Sequence, residues 1–178
     1  DGYSQVLFAR ELREALRSGE VDVVVHSVKD VPLRDKPDDL IFPAVLPRGD
    51  HRDVLSTRSG ITLAALPRHS RVGVTSLRRI AQLRALRPDL TFVDVGGSLE
   101  ERLRHVEPGD LDAVVLSAAG VEALGLTDRI AEYLPILTAP GQGALALECR
   151  KDDEEIVAAL KEFDDVETRI AIDAERAV

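Results

Sequence analysis

The chain has 178 residues, of which 44% are hydrophobic, enough apolar side chain to bury one sizeable core or two small ones. Its net charge of -9 argues against a general nucleic-acid or anionic-membrane surface, and its apolar runs are far shorter than the roughly 20 residues that span a bilayer. The first residues do not resemble a signal segment, so we expect a cytoplasmic protein. The single cysteine, Cys149, excludes an internal disulfide, and the scattered histidines predict no metal site.

The first predicted element is an amphipathic helix over residues 4–18, because Phe8, Leu12 and Leu16 recur at four-residue spacing. A near-continuous run of valines then predicts a strand over residues 21–25 that is covered on both faces. A helix beside such a strand is typical of α/β proteins.

Strands and helices alternate through the rest of the chain. Further strands are predicted at residues 71–76, 90–95, 111–119 and 144–149. Further helices are predicted at residues 63–67, 77–88, 98–106, within 120–134, at 152–163 and at 166–178. This order predicts an α/β fold with mostly parallel sheets that are flanked by helices.

Two proline- and glycine-rich segments divide the pattern into two lobes. Residues 44–50 and the segment around Gly141 are interpreted as crossings between them. Lobe one is therefore predicted to comprise residues 1–45 and 145–178, and lobe two residues 46–144. The chain starts without a first strand and ends inside a helical pattern, so we expect a fragment of a longer protein.

Polar residues follow the first predicted strand in the segment HSVKDVP, residues 26–32. Parallel α/β sheets usually bind ligands beyond the carboxyl ends of their strands. The alternative is an ordinary turn, since Ser, Asp and Pro are common turn residues. The adjacent opposite charges favour function, with Lys29 holding an anion and Asp30 acting as an acid or base, accompanied by Ser27.

A second candidate site is the segment VTSLRR, where a strand passes directly into a helix. Ser76 and the free amides of the helix start can bind an anion, and Arg78 and Arg79 add two guanidinium groups. Cations at this end oppose the helix dipole, so the pair costs stability unless an anion is bound. The alternative is that both arginines point into solvent.

Two weaker candidates are Arg102 and Gln142. Arg102 follows the glycines of GGSLEERLRH, which let the backbone approach a ligand, but it can also pair with a glutamate on its own surface. Gln142 lies between glycines in APGQGA, for which a hinge is the simpler interpretation and a ligand contact the other.

In this order, HSVKDVP, TSLRR and PGQGA resemble the porphobilinogen deaminase (hydroxymethylbilane synthase) family. The resemblance continues through LFARELREAL, RGDHRDVL, LSAAGVEALGL, APGQGALALECR and AERAV. It implies two periplasmic-binding-protein-like lobes, with the N-terminal strand and a third domain outside this chain. It also implies a monomeric enzyme of tetrapyrrole biosynthesis that condenses four porphobilinogen units with loss of ammonia and has no nucleic-acid or membrane partner.

The resemblance also assigns roles to the candidate residues. Asp30 is the implied catalytic carboxylate. The implied cofactor-binding residues are Ser27, Lys29, Ser76, Arg78, Arg79, Arg102 and Gln142. The implied substrate-binding residues are Phe8, Arg78, Arg79 and Arg102. The cofactor is dipyrromethane, linked to a cysteine outside this segment, so Cys149 is not its anchor.

Three positions depart from the family pattern. Asp1 stands where the family has a cofactor-contacting lysine, and Gly96 and Ala123 stand where it has arginines. Each missing charged hydrogen bond is expected to cost about 1.5–3 kcal/mol. Two alternatives therefore stay open, a deaminase-like homologue with reduced or lost activity and a non-catalytic solute-binding module of the same fold.

Overall fold

The computed structural model describes residues 2–31, 37–107 and 109–177, and for residues 2–8 it describes the backbone alone. The helices are α1 (Gly2–Ser18), α2 (Leu77–Leu86), α3 (Leu99–Arg104), α4 (Ala118–Ala123), α5 (Glu154–Lys161) and α6 (Val166–Arg176). The strands are β1 (Val24–Ser27), β2 (Leu40–Val45), β3 (Asp53–Thr57), β4 (Arg71–Gly73), β5 (Thr91–Val93), β6 (Ala113–Ser117), β7 (Glu132–Tyr133) and β8 (Leu145–Arg150). Short 3₁₀ helices cover Val28–Asp30 and Thr127–Arg129.

The chain forms two compact units. Unit one comprises residues 1–49 and 140–178, and unit two comprises residues 50–139. The sequence placed the lobe boundaries at residues 45 and 145, a few residues from these positions. The predicted and the observed boundaries all fall between β2 and β3 or between β7 and β8.

Unit one is built on a three-stranded sheet of order β1-β8-β2. Strand β8 is antiparallel to both neighbours, with Val25 opposite Leu147 and Ala44 opposite the same residue. On one side of the sheet Leu16 of α1 packs against Val24 and Leu40. When the chain returns to this unit, β8 is inserted between β1 and β2 and runs in the opposite direction to both. The sheet is therefore antiparallel.

The prediction for the first strand is corrected in one respect. Residues 21–23 lie outside the strand, and within β1 Val24 and His26 are buried while Val25 is 56% exposed. Alternate side chains of a strand point to opposite faces, so this strand is covered on one face alone. The prediction of a strand from the valine run is therefore confirmed, and the prediction that both of its faces are buried is wrong.

Unit two contains a five-stranded sheet of order β5-β4-β6-β3-β7. Strand β4 is parallel to β5 and β6, whereas β3 is antiparallel to β6 and β7. Apolar clusters cover both faces, because neighbouring residues of β3 join different clusters, Leu55 with Leu83 of α2 and Val54 with Leu103 of α3. The α/β class is confirmed, but the expectation of mostly parallel pairing is corrected, since the first sheet is antiparallel and the second is mixed.

Residues 63–67 were predicted as a helix and form a single turn instead. The amides of Ala65 and Leu66 both donate to the carbonyl of Thr62, at 3.0 and 3.1 Å. Pro67 follows at once and has no amide hydrogen with which to extend the turn.

The region around β6 also differs from its prediction. The strand ends at Ser117 and α4 begins with the next residue, so the predicted strand 111–119 was too long. The region 120–134, predicted as helical, also holds the short strand β7. No helix of the described residues is both long and apolar enough to cross a membrane.

Candidate functional site

Asp30 lies in the short turn that follows β1, where the strand ends at Ser27 and a 3₁₀ helix covers Val28–Asp30. The side chain is half-buried, and burial raises the pKa of Asp30 above its usual range. The charge of Lys29 and a hydrogen bond with the side chain of Ser27 oppose that rise in pKa. The turn therefore brings together the three residues that the sequence singled out here, around a carboxyl group that is partly withdrawn from water.

The second site is organised by a residue that the sequence analysis missed, Asp53 at the start of β3. Its side chain is fully buried, and Nε and Nη2 of Arg79 donate to its Oδ1 at 3.0 and 2.6 Å. Nη2 of Arg78 lies 2.8 Å from its other carboxylate oxygen. Arg78 also donates to the carbonyl of Leu137. Asp53 is thus a buried anion shared by two adjacent guanidinium groups.

This arrangement explains why two arginines can occupy the first turn of α2. Cations there oppose the helix dipole, and Asp53 supplies the anion that offsets the cost. Ser76 caps the helix and accepts from the amide of Arg79 at 3.5 Å. Arg79 is 6% exposed, so the solvent-facing alternative does not hold for it, and a contact of either arginine with a ligand stays a prediction.

Arg102 differs from these two arginines because it makes no ion pair within the described ranges. Its Nε donates to the carbonyl of Gly97 at 3.0 Å, and the predicted alternative, a pair with a surface glutamate, is not formed. Burial and the nearby charge of Arg79 lower the pKa of Arg102, while Asp94 opposes this. A half-buried guanidinium beside a second positive charge is stabilised by binding an anion.

The glycine turn before α3 leads into a capped helix start. Ser98 and Glu101 form a capping box, with the amide of Ser98 donating to Glu101 Oε2 at 2.7 Å and the amide of Glu101 donating to Ser98 Oγ at 3.2 Å. Gly97 has φ of +93°, a conformation that favours glycine. Gly96 and Ala123, where the family pattern has arginines, are both exposed.

Gln142 lies in a loop of unit one that packs against the Asp30 turn. Gln142 is 1% exposed, and its carbonyl accepts from Nε of Arg48 at 3.0 Å. The preceding Gly141 has φ of +74°, and a Cβ there would lie 2.4 Å from Cγ1 of Val28. The close approach of the two backbones therefore requires glycine at this position.

Two predicted positions are not covered. Asp1 lies outside the described residues, and so does the side chain of Phe8, whose backbone belongs to α1. Cys149 is fully buried, and burial raises the pKa of its thiol, which suits a packed core residue. Within residues 2–31, 37–107 and 109–177, no cluster of three His, Cys, Asp or Glu side chains could hold a metal ion.

A second buried carboxylate that the sequence analysis did not identify is Glu148, in unit one. Glu148 on β8 is fully buried and accepts from Nε of Arg13 at 3.0 Å, and Nε2 of His26 lies 2.9 Å from its other oxygen. Burial alone raises the pKa of Glu148, but the hydrogen bonds from His26 and Arg13 outweigh it and hold the pKa below its usual value. The cluster links α1, β1 and β8 at the strand that leads to Asp30.

The Glu148 cluster predicts a loss of stability in acid. Because the pKa of Glu148 is lower in the folded protein, its ionised form stabilises the fold above about pH 4.5, and this contribution is lost as the pH falls further. We expect Glu148→Gln to lower the free energy of unfolding by about 3 kcal/mol or more at pH 7, because the buried Arg13 loses the carboxylate to which it donates. Urea denaturation from pH 7 to pH 3.5 should show the difference from wild type shrinking below about pH 4.5.

Glu14→Gln provides the control for this experiment. Glu14 is a highly exposed partner of Arg17 on α1, so its removal is expected to change the unfolding free energy by less than about 1 kcal/mol. A difference for Glu148→Gln that stayed constant across the pH series would contradict the assigned role.

Comparison with known proteins identifies sequence relatives over nearly the whole chain. A family model described as porphobilinogen deaminase, dipyromethane cofactor binding domain, matches residues 3–158. Relatives named porphobilinogen deaminase include those of Roseiflexus sp. (strain RS-1), 49% identical, and Brevibacillus brevis, 45% identical, each over 174 residues. These matches cover 96% of this chain but 57% and 56% of the relatives, so the chain spans little more than half of their length.

Solved structures share the fold at much lower identity. The methionine binding protein MetQ matches with a TM-score of 0.58 and 17% identity, over 93% of this chain and 78% of that protein. A double mutant of the Bordetella pertussis BvgS VFT2 domain matches with a TM-score of 0.53 and 23% identity, over 93% of this chain and 72% of that domain. These matches confirm the periplasmic-binding-protein-like α/β fold expected from the sequence, and at this identity they support the fold alone.

Proposed function

Because this chain belongs to the porphobilinogen deaminase family, we propose that it forms part of a hydroxymethylbilane synthase, which condenses four porphobilinogen units into a linear tetrapyrrole and releases ammonia. Within that enzyme it supplies the reacting carboxylate, Asp30, and cationic groups that bind the acetate and propionate side chains of the pyrroles. The observation that carries the proposal is the half-buried carboxyl group of Asp30. Burial raises the pKa of this group.

The chemistry requires a negative charge beside a developing positive one. When porphobilinogen loses ammonia, its C–N bond breaks with the electron pair leaving on nitrogen, and the pyrrole ring becomes an azafulvene cation. In that cation the pyrrole N–H is more acidic and donates more strongly to a carboxylate. Asp30, fixed in a turn and partly removed from water, stabilises the cation more than a hydrated carboxylate would.

Asp30 also suits the proton transfers of the reaction. Ammonia leaves only if its nitrogen is protonated, and the new C–C bond forms with loss of a proton from a pyrrole carbon. A carboxyl group with a raised pKa accepts and returns protons nearer to neutral pH than an exposed aspartate. The charge of Lys29 and the hydrogen bond with Ser27 oppose the rise in the pKa of Asp30.

The acidic side chains of substrate and cofactor require cations, which unit two provides. Arg102 is the first candidate because it has no carboxylate partner within the described ranges and its charge is disfavoured beside Arg79. Arg78 is the second, because 25% of its side chain is exposed while it contacts Asp53. Arg79 is 6% exposed and contributes its charge from a buried position. Arg–carboxylate contacts of this kind are strong and directional.

The dipyrromethane cofactor fits this donor set. Its carboxylates match Arg102 and Arg78 of unit two. The cofactor roles of Lys29 and Ser27 stay predictions from the sequence. When bound, the cofactor supplies the pyrrole to which the first substrate unit is joined. Cys149 does not serve as its anchor, because its thiol is fully buried in β8.

The proposal is tested with the full-length protein and porphobilinogen. We expect hydroxymethylbilane to form with one ammonia released per porphobilinogen consumed, and the intact mass to exceed the sequence mass by one dipyrromethane. A protein that carries no adduct and releases no ammonia would contradict the proposal and favour the homologue without activity. Binding of porphobilinogen without turnover would favour the solute-binding alternative.

The departure at Gly96 can be tested by restoring an arginine. No heavy atom lies within 4 Å of the place where a Cβ would stand, so Gly96→Arg is expected to leave the fold intact. An added guanidinium near Arg102 should bind a substrate carboxylate and lower KM about threefold to tenfold, within the range of a charged hydrogen bond at an exposed site. Steady-state kinetics of the full-length protein measure this.

Thr91→Arg is the matched control, because it adds the same charge at an exposed residue at the opposite end of β5. We expect its KM to equal that of wild type. An equal fall in KM for both variants would mean that net charge alone is responsible. An unchanged KM for Gly96→Arg would mean that other groups already bind that carboxylate.

The monomeric state, the cytoplasmic location and the absence of a nucleic-acid partner stay predictions from the sequence. The substrate role of Phe8 and the cofactor roles of Ser76 and Gln142 also stay predictions. Ser76 is the cap of α2, and the buried position of Gln142 suits a fixed loop.

A further inference from the structure

The turn that carries Asp30 is held by a backbone hydrogen bond at each end. The amide of Val28 donates to the carbonyl of Ala144 at 3.0 Å, and the amide of Val31 donates to the carbonyl of Val28 at 3.2 Å. A 3₁₀ turn of this length has poorer hydrogen-bond geometry than an α-helix. Its conformation therefore depends on contacts from other elements.

One such contact is made by Arg176, the last residue of α6. Its Nη1 donates to the carbonyl of Val28 at 3.4 Å and its Nη2 donates to the carbonyl of Val31 at 3.0 Å. A single planar guanidinium group thus joins the two ends of the turn that contains Asp30. Arg176 is half-buried, so these bonds are partly shielded from water, and burial lowers the pKa of Arg176 while Asp173 opposes this.

The end of α6 is itself held in place by the neighbouring residue. Glu175 accepts from Nη1 and Nη2 of Arg48 at 2.5 and 3.0 Å and from the amide of Gly141 at 2.8 Å. Gly141 in turn packs against Val28, with no room for a Cβ between them. The same end of α6 therefore fixes both the turn before Val31 and the loop that supports it.

We infer that Arg176 is a positioning residue for Asp30. By joining Val28 and Val31, Arg176 holds the carboxyl group of Asp30 in its reactive place. This inference rests on the proposed function. Among the described residues Arg176 donates to the turn through the carbonyls of Val28 and Val31, so its assigned role is to act through Asp30. Displacing a reacting group by about 1 Å can cost about a hundredfold in rate.

Arg169 offers a closely matched control on the same helix. Its Nη2 also donates to two backbone carbonyls, those of Phe42 and Pro43, at 3.4 and 3.2 Å, and it also pairs with Asp164. Arg169→Gln therefore removes a similar or larger set of contacts from α6. Those contacts reach β2 and not the turn that carries Asp30.

The experiment compares Arg176→Gln, Arg176→Lys and Arg169→Gln in the full-length protein. For Arg176→Gln we expect kcat to fall about tenfold to a hundredfold with KM within about twofold of wild type, because substrate carboxylates are held elsewhere. Hydrogen exchange of peptides spanning residues 27–31 should become about tenfold faster or more, because the variant loses both hydrogen bonds to the turn. Arg176→Lys, which can reach one carbonyl, should give intermediate values.

The control and the wild type separate the possible outcomes. Arg169→Gln is expected to leave kcat and the exchange of residues 27–31 unchanged, even where it lowers the unfolding midpoint. If Arg176→Gln and Arg169→Gln have equal kcat and equal exchange in this segment, Arg176 is not a positioning residue. If the wild type does not turn over porphobilinogen, the proposed function fails, while the exchange comparison still decides whether Arg176 holds the turn.

Discussion

Changing Asp30 to asparagine in the full-length protein is expected to lower kcat for porphobilinogen by about 10²–10⁴-fold, the range typical of losing a proton-transferring carboxylate. The amide keeps the size of the side chain but can neither bear negative charge nor accept a proton. Steady-state rates of ammonia release measure the loss. Asp30→Glu keeps the charge but moves it by one methylene, so it should retain part of the activity.

The same substitution should not destabilise the protein. Because burial raises the pKa of Asp30, the ionised group is disfavoured in the fold, and its cost grows as the pH rises through that pKa. We therefore expect Asp30→Asn to unfold in urea at the wild-type midpoint or slightly above it at pH 7. A large loss of stability would indicate a structural role, and full activity would contradict the catalytic assignment.

Asp38→Asn is the control for the chemistry of the change. Asp38 is an exposed aspartate of the same unit, so its replacement should alter neither rate nor stability. Comparable losses of rate in both variants would show that overall charge, and not the position of Asp30, matters.

Replacing Asp53 with alanine is expected to have the largest effect on stability. The change leaves Arg79 buried without its anion, and losing one partner of a buried ion pair costs about 3–5 kcal/mol. It also removes the anion that allows two cations at the start of α2. Urea denaturation of the full-length protein should show a lower midpoint for the transition of unit two.

Glu107→Ala is the matched control in the same unit. Glu107 pairs with Arg129 at 3.0 Å, but 60% of its side chain is exposed, so its loss should cost less than about 1 kcal/mol. If Asp53→Ala cost no more than this control, the buried carboxylate would not be stabilising the arginine pair. A further variant, Asp53→Leu combined with Arg79→Met, should recover part of the stability, because it removes both charges together.

Features fixed by neighbouring residues could be predicted from the sequence. The cap of α3 is an example, because Ser98 and Glu101 are three residues apart and bond to each other's amides. The turn at Asp30 is another, since polar residues follow directly on a strand of valines. Such short-range patterns predicted the helices and most strands, though not how the strands pair.

Features that depend on distant residues could not be predicted in this way. Arg79 contacts an aspartate 26 positions away, and Arg13 contacts a glutamate 135 positions away. A weak signal for the first did exist. Asp53 is a charged residue in the otherwise uncharged run DVLST, and two arginines began a helix without a visible anion. A buried charge needs a partner, so these two anomalies could have been matched to each other.

The direction of β8 is another feature that depends on distant residues. Its sequence marks it as a strand, but whether it lies parallel or antiparallel to β1 depends on how the intervening residues return to the first unit. The same holds for Arg176, whose two carbonyl partners lie more than 140 residues earlier in the chain. Strand pattern alone carries no information about either.

The central position of β8 has a consequence for the order in which the molecule is made. In the described residues β1 and β2 bond to β8 and not to each other, so the first sheet cannot assemble until residues 145–150 have left the ribosome. Residues 50–139 form a continuous unit that is synthesised earlier. Nascent chains should therefore acquire protease resistance in the middle of the sequence first, with the N-terminal segment waiting for its late partner.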